Sequence, residues 1–139
     1  MLNKLKIFGD GGSRGNPGQA AYGFVIYDDL EKVIYKQGTR IGINTNNVAE
    51  YSAVINSLDW VEKNCKEEVA AIAFFLDSQL VVSQLTGKFR VKHPNMLPLF
   101  AKVKQLEFRL NARISYTAIP RAQNSAADEM VNLALDYKI

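Results

Sequence analysis

The chain has one cysteine, one histidine and no long apolar run, and each shortage closes off a class of function. Cys65 alone cannot form an internal disulfide, so a reducing compartment suits the protein. No apolar stretch approaches the roughly 18 to 20 residues that cross a bilayer. The opening segment MLNKLKIFGD carries lysines but passes at once into an alternating pattern, without the apolar core or cleavage site of a signal peptide. A cytoplasmic protein with no membrane association is therefore expected. Excess charge is scarce too. Seventeen Lys and Arg against fourteen Asp and Glu leave a net +3 and a pI near 9.0, which favours a polyanionic partner only weakly.

What is present is enough for one core. At 139 residues, 47% hydrophobic and 22% charged, the chain fits a single domain spanning 1–139, with no repeat, linker or low-complexity segment. Its least regular stretch is FGDGGSRGNPG, Phe8 to Gly18. Loops that cradle phosphates lead with glycine and close with a lysine at the mouth of a helix. Here an acid, Asp10, leads, and Arg14 is the only cation. The reading is a strand that ends at Asp10, followed by eight residues of irregular loop.

Leu5 and Ile7 alternate with Lys6 and Phe8, which places a first strand there. AYGFVIYD and KVIYKQGTRI, separated by a polar turn at residues 28–31, read as two more strands joined by a hairpin. Connections this short give an antiparallel meander. From Asn46 the period becomes helical through Tyr51, Val54, Ile55, Leu58 and Val61, with Asn46 or Asn47 as cap and an end near Asn64. AAIAFFL, residues 70–76, is an unbroken apolar run, expected to be a central parallel strand covered on both faces. SQLVVSQL suggests a short helix, and Met96, Leu99, Phe100, Val103, Leu106 and Leu110 form a core stripe on another. Residues 113–119 make a last strand, and Ser125 opens a final helix. The order is βββαβαβα.

Four acids punctuate this order. Asp10 closes the first strand, Glu50 lies in the first helix, Asp77 follows the apolar strand, and Asp128 opens the last helix. Each has an ordinary explanation when taken singly. Glu50 stands three residues after Asn47 and Asp128 three after Ser125, both capping-box spacings, while Asp77 can start its helix and Asp10 can close a turn. Together they can meet at one edge of an α/β sheet, where ligands bind beyond the carboxyl ends of parallel strands. Converging carboxylates need a shared positive charge, and a hard divalent cation such as Mg²⁺ takes oxygen ligands.

DGGSRGNPG, TNNVAE, LDSQLV and IPRAQNSAADEMVN, in this order and at these separations, resemble type 1 ribonuclease H over essentially the whole chain. The likeness is to bacterial and archaeal members without the basic handle insertion. It implies the α/β ribonuclease H fold, a five-stranded mixed sheet of three antiparallel strands and then parallel ones, flanked by helices. It also implies an endoribonuclease that cuts the RNA strand of RNA–DNA hybrids, leaving 5′-phosphate and 3′-hydroxyl ends. The four metal-binding acids of the family fall on Asp10, Glu50, Asp77 and Asp128. Two Mg²⁺ ions, with Mn²⁺ as an alternative, would activate water, stabilise charge on the phosphoryl oxygens and receive the leaving 3′-oxygen, so no nucleophilic serine or cysteine is required.

The family pattern further implies substrate contacts by Asn16, Asn46 and Asn47, by Ser78 and Gln79 at the helix start, and by Thr45 with a DNA phosphate. Gly11 would let the backbone approach a ribose whose 2′-hydroxyl must be read. An RNA–DNA hybrid is the expected partner, with no obligate protein partner and a monomeric state. Two departures stand out. Many members carry a histidine before the last helix, where this chain has Arg121; a guanidinium can hold a phosphate but cannot serve as a general base. Gly9 replaces a larger residue before the first acid. The one histidine, His93, reads as a solvated loop residue, with contact to the hybrid backbone as the alternative, and Lys88, Arg90 and Lys92 are placed to replace part of the charge of the missing handle. The competing readings are a hybrid-binding module without catalysis and another nuclease on the same fold.

Overall fold

The computed structural model describes residues 3–65 and 69–139. Its strands are β1 (Lys4–Gly15), β2 (Gly18–Tyr27), β3 (Val33–Asn44), β4 (Ala71–Leu76) and β5 (Arg113–Ala118). Its helices are α1 (Asn46–Cys65), α2 (Gln79–Leu85), α3 (Leu97–Leu110) and α4 (Ser125–Leu135), the last preceded by a 3-10 turn at Arg121–Gln123. This is the expected βββαβαβα order, with the second helical position split between α2 and α3. The strands form one sheet in the order β3-β2-β1-β4-β5. β1 pairs antiparallel with β2, and β2 with β3; β1–β4 and β4–β5 are parallel.

The glycine-rich stretch is where the expectation fails. β1 does not stop at Asp10 but continues in register with β2 from Asp10↔Gly23 to Gly15↔Gly18, so Asp10 lies inside a paired strand. Irregular structure is confined to the turn at Asn16 and Pro17, joined by a cis bond. Glycine weakens a strand when nothing compensates, but here paired neighbours and close helices on both faces do so. Arg14 turns away to an ion pair with Asp136 at 2.7 Å. No phosphate cradle is built there.

Leu5, Ile7, Phe24, Ile26, Ile72, Phe74 and Leu76 are buried on one face of the sheet with Tyr51, Val54, Leu58, Val61, Val103 and Leu106 of α1 and α3. Strand periodicity of two and helical spacing of three and four thus meet in one core. α4 covers the opposite face over β1, β2 and β3, burying Ala21 against Val131 and Ala134. It does not reach across β4. Accordingly β4 is not buried on both faces: Ile72, Phe74 and Leu76 are buried, whereas Ala71, Ala73 and Phe75 are half-buried. The run is apolar because Phe75 stacks on Phe8 of β1, with ring centroids 4.9 Å apart, rather than beneath a helix. The strand at the centre of the sheet is β1, which carries Asp10.

Among the described residues no helix is long and apolar enough to cross a membrane.

Candidate active site

Asp10 from the middle of β1, Glu50 from the second turn of α1 and Asp77 just beyond β4 come together at the carboxyl edge of the parallel pair. One carboxylate oxygen from each lies within 4.8 Å of the others. Asp10 and Glu50 are each only 5% exposed, and Asp77 is half-buried.

Two glycines bring the helices this close. A Cβ on Gly11 would stand 2.2 Å from the carbonyl carbon of Ala49 and 2.3 Å from the nitrogen of Glu50. On the other face, a Cβ on Gly23, the partner of Asp10 across the ladder, would meet the Ala127 carbonyl at 2.7 Å and Met130 at 2.8 Å. So α1 with Glu50 and α4 with Asp128 are seated against the strand pair from opposite sides. The absent side chain of Gly11 makes room for α1, where a ribose had been expected. Gly9 is explained in the same way: a Cβ there would lie 3.0 Å from Leu76 Cδ2 and 3.4 Å from Ala53 Cβ.

The capping explanations for the acids do not hold. Thr45 caps α1, its Oγ1 accepting from the Val48 N–H at 3.3 Å, in place of Asn46 or Asn47. Glu50 Oε1 instead accepts from the Gly11 N–H at 3.2 Å, a bond from helix to strand. Ser78 caps α2 by accepting from the Val81 N–H at 3.2 Å, which frees Asp77 from that task. Asp128 lies in the first turn of α4, with Oδ2 accepting from Asn132 at 3.2 Å, and the helix start has no side-chain cap.

Electrostatically the cluster is unbalanced. Burial, then the charges of Asp77 and Asp128, push the Asp10 carboxyl up to about 7, with a hydrogen bond from Glu50 opposing the rise. Burial and the Asp10 charge hold Glu50 well above the usual carboxylate range. Glu50 Oε2 is buried with no donor to satisfy it. Among the described residues no ion pair reaches Asp10, Glu50 or Asp77; Arg121, largely exposed, comes only within 3.9 Å of Asp128. Facing acceptors can be reconciled by a shared proton or a shared cation. An all-oxygen donor set with an orphaned buried oxygen fits a hard divalent ion.

A stability prediction arises here. A folded-state value near 7 against an unfolded value of 3.8 means the folded protein holds the extra proton between these limits. The pair's contribution is therefore best below about pH 4 and is lost as pH rises toward 7. Thermal melts of metal-free protein should show this slope, and millimolar Mg²⁺ at pH 7.5 should raise the midpoint by binding only the folded form. A midpoint at pH 7.5 that ignores the metal would contradict the fit.

Of the other expected residues, Asn16 lies in the β1–β2 turn, Asn46 and Asn47 open α1, and Gln79 opens α2. Asn16 Oδ1 accepts from the Asn46 N–H at 3.0 Å, and Asn46 Oδ1 accepts from the Ser13 N–H and hydroxyl at 2.8 and 3.0 Å, tying the β1–β2 turn to the start of α1. Asn47 is half-buried beside them, and Gln79 is exposed at the first turn of α2. Asp128 is not part of the three-carboxylate group, although its charge is felt by Asp10. His93 is exposed, with Nδ1 accepting from the Asn95 N–H at 3.1 Å.

Sequence reasoning missed Asn124. It is fully buried, and its Nδ2 donates to the Gly9 carbonyl at 2.8 Å and to Asp77 Oδ2 at 3.3 Å, binding the first strand, the fourth and the start of α4 at the carboxylates. Its place four residues before Asp128 was the only signal, and a buried asparagine looks like a turn residue in sequence.

A family model described as reverse transcriptase-like matches residues 8–134. The bifunctional protein Rv2228c of Mycobacterium tuberculosis is 43% identical over 134 residues, 96% of this chain but 36% of that protein. The chain thus spans about a third of the length of that relative. The ribonuclease HI of Halobacterium salinarum is 35% identical, covering 96% of this chain and 65% of its own length. Among solved structures, LC11-RNase H1 in complex with an RNA/DNA hybrid superposes with a TM-score of 0.92 at 36% identity, covering 96% of this chain and 98% of the other. Sheet order, carboxylate cluster and near full-length matches agree, and the chain belongs to the type 1 ribonuclease H family.

Proposed function

We propose that this chain is an endoribonuclease that hydrolyses the RNA strand of RNA–DNA hybrids, with Asp10, Glu50, Asp77 and Asp128 as the divalent-metal ligands. The observation that carries this reading is the convergence of three carboxylates, two of them buried and pushed above the usual carboxylate range by burial and by their acidic neighbours. A module that only bound nucleic acid would gain nothing from a repulsive acidic cluster facing phosphates. Mg²⁺ suits the all-oxygen set, with Mn²⁺ as the alternative. Bound there, such an ion supplies a Lewis acid for the phosphoryl oxygens and lowers the pKa of a water.

The chain's own groups do the positioning. The Gly11 N–H orients Glu50, and Asn124 orients Asp77, so the carboxylates are held before substrate arrives. Asn16, Asn47, Ser78 and Gln79 offer neutral donors and acceptors, matching a 2′-hydroxyl that both donates and accepts. Asn46 holds the turn that presents Asn16. Thr45 uses its oxygen to cap α1, which leaves its O–H to donate to a phosphate. Arg121, exposed beside Asp128, acts electrostatically on a phosphate. The reading includes a single domain over 1–139, a monomer and a cytoplasmic setting.

The test is purified protein with Mg²⁺ or Mn²⁺ on matched RNA–DNA, RNA–RNA and DNA–DNA duplexes. Cleavage confined to the RNA strand of the hybrid is expected. Equal cleavage of all three duplexes, or none of any, would overturn the reading.

A further inference from the structure

Parallel strands in α/β proteins are ordinarily covered by helices on both faces. Here α4 packs over β1, β2 and β3 and leaves the same face of β4 and β5 open. Cross-strand register sets what stands on it. Lys4, Ala71 and Arg113 form one row, Lys6, Ala73 and Ser115 the next, and Phe8, Phe75 and Thr117 another. The cations and hydroxyls are exposed, while the alanines and phenylalanines are half-buried. The two cation-bearing rows line a hollow of about 310 Å³. Lys6 and Phe8 also line a neighbouring one of about 300 Å³, with Tyr27 and the start of α4.

Charge and ring geometry point to one kind of occupant. Three cations, Lys4, Lys6 and Arg113, rim a floor of alanine. Glu31 is the one carboxylate lining either hollow, and it is already paired with Lys6. Asp29 accepts from the backbone N–H of Lys4 at 3.0 Å, and among the described residues neither Lys4 nor Arg113 has an ion pair. Such a surplus suits a polyanion. Beside it Phe8 and Phe75 stack with centroids 4.9 Å apart, and Tyr27 meets Phe8 edge-on at 5.6 Å. Cations along a groove with aromatic rings next to them hold an unpaired strand, taking its phosphates and stacking its bases. A duplex keeps its bases inside, and an acidic peptide would leave the rings without a stacking partner. Lys4 stands six residues before Asp10 on β1, about 20 Å along the strand, so this face is distinct from the carboxylate edge.

We propose that the open face at the amino-terminal ends of β1, β4 and β5 is a second nucleic-acid surface, which binds a single strand through Lys4, Lys6 and Arg113 with Phe8 and Phe75 as the stacking platform. The assignment stands apart from the hydrolysis reading, since it requires neither a metal nor cleavage.

Amide chemical shifts of the metal-free protein, titrated with an oligothymidylate of about 12 nucleotides, locate the contact. Changes should centre on Lys4, Lys6, Ala73, Phe75 and Arg113. Changes confined to Asn16, Asn47 and Gln79, or no changes at all, would overturn the proposal. Lys4→Gln combined with Arg113→Gln removes two phosphate contacts, so the slope of log affinity against log salt should become shallower by about 1.4, with binding about tenfold or more weaker at low salt. Phe75→Leu should cost about fivefold or more and leave the slope as it is, because stacking carries no charge. Lys4 and Arg113 are exposed, so the charge result stands even if a thermal melt shows Phe75→Leu to be poorly folded. An unchanged slope in the charge variant refutes the phosphate contacts. Polyglutamate that shifts the same amides as strongly as the oligonucleotide refutes the nucleic-acid assignment in favour of an acidic protein partner.

Discussion

Asp10→Asn is expected to cleave hybrid at less than about a thousandth of the wild-type rate and to unfold at a higher temperature than wild type. The first part follows from position. Asp10 stands on the central strand with a carboxylate oxygen within 4.8 Å of both Glu50 and Asp77, and its loss removes one of the three converging carboxylates. Loss of one electrostatic contact at a reacting centre costs about 10²–10³, and a residue that also holds a cation should exceed that. The second part follows from the charge it carries. A carboxyl pushed from 3.8 to about 7 by burial and its acidic neighbours works against the folded state by an amount of the order of a few kcal/mol above pH 7. An amide of the same shape removes that cost and can donate to Glu50. Rates in Mg²⁺ beside melts in EDTA at pH 8 check both halves. A variant that is inactive and also less stable would mean that Asp10 supports the fold rather than straining it.

Gly11→Ala should be among the most damaging small substitutions at the described glycines. The added carbon would sit 2.2 to 2.5 Å from backbone atoms of Ala49 and Glu50, and backbone cannot rotate away as a side chain can. Either α1 shifts off the sheet or β1 bends. Overpacking of this kind costs about 3 kcal/mol or more, a fall of roughly 10 °C in the melting temperature for a domain of this size. Glu50 moves with α1, and a displacement of about 1 Å can cost about 10² in rate. Gly12→Ala is the internal comparison, because a Cβ there meets only Val131 Cγ1 at 3.9 Å. Its melting temperature should stay close to that of wild type. If the two alanine variants melt together, close approach of α1 is not what Gly11 secures.

Much of the fold was legible before any coordinates. The strand alternation around Leu5 and Ile7, the change of period at Asn46 and the stripe from Met96 to Leu110 are properties of single elements, and each element formed where its period indicated. Errors fell where one element's environment depends on another. AAIAFFL read as a strand buried on both faces because an apolar side chain carries no mark of whether a helix or a neighbouring phenylalanine covers it; Phe75 has Phe8. DGGSRG read as a loop because glycine's low strand preference is local, while the contacts that compensate for it come from α1 and α4. The cap of α1 moved from Asn46 to Thr45 because Asn46 turns its side chain to Ser13 instead.

By itself the sequence determined the kinds of element, their order, and the presence of one acid each on β1, on α1, just after β4 and on α4. These depend on spacing along one chain, where the periods of strand and helix dictate direction. Only the tertiary structure decided which acids meet. Asp10, Glu50 and Asp77 close to within 4.8 Å while Asp128 stays outside that group. The reason is that distances between elements are set by how closely backbones can approach, and here Gly11 and Gly23 set that approach from the two faces of the sheet.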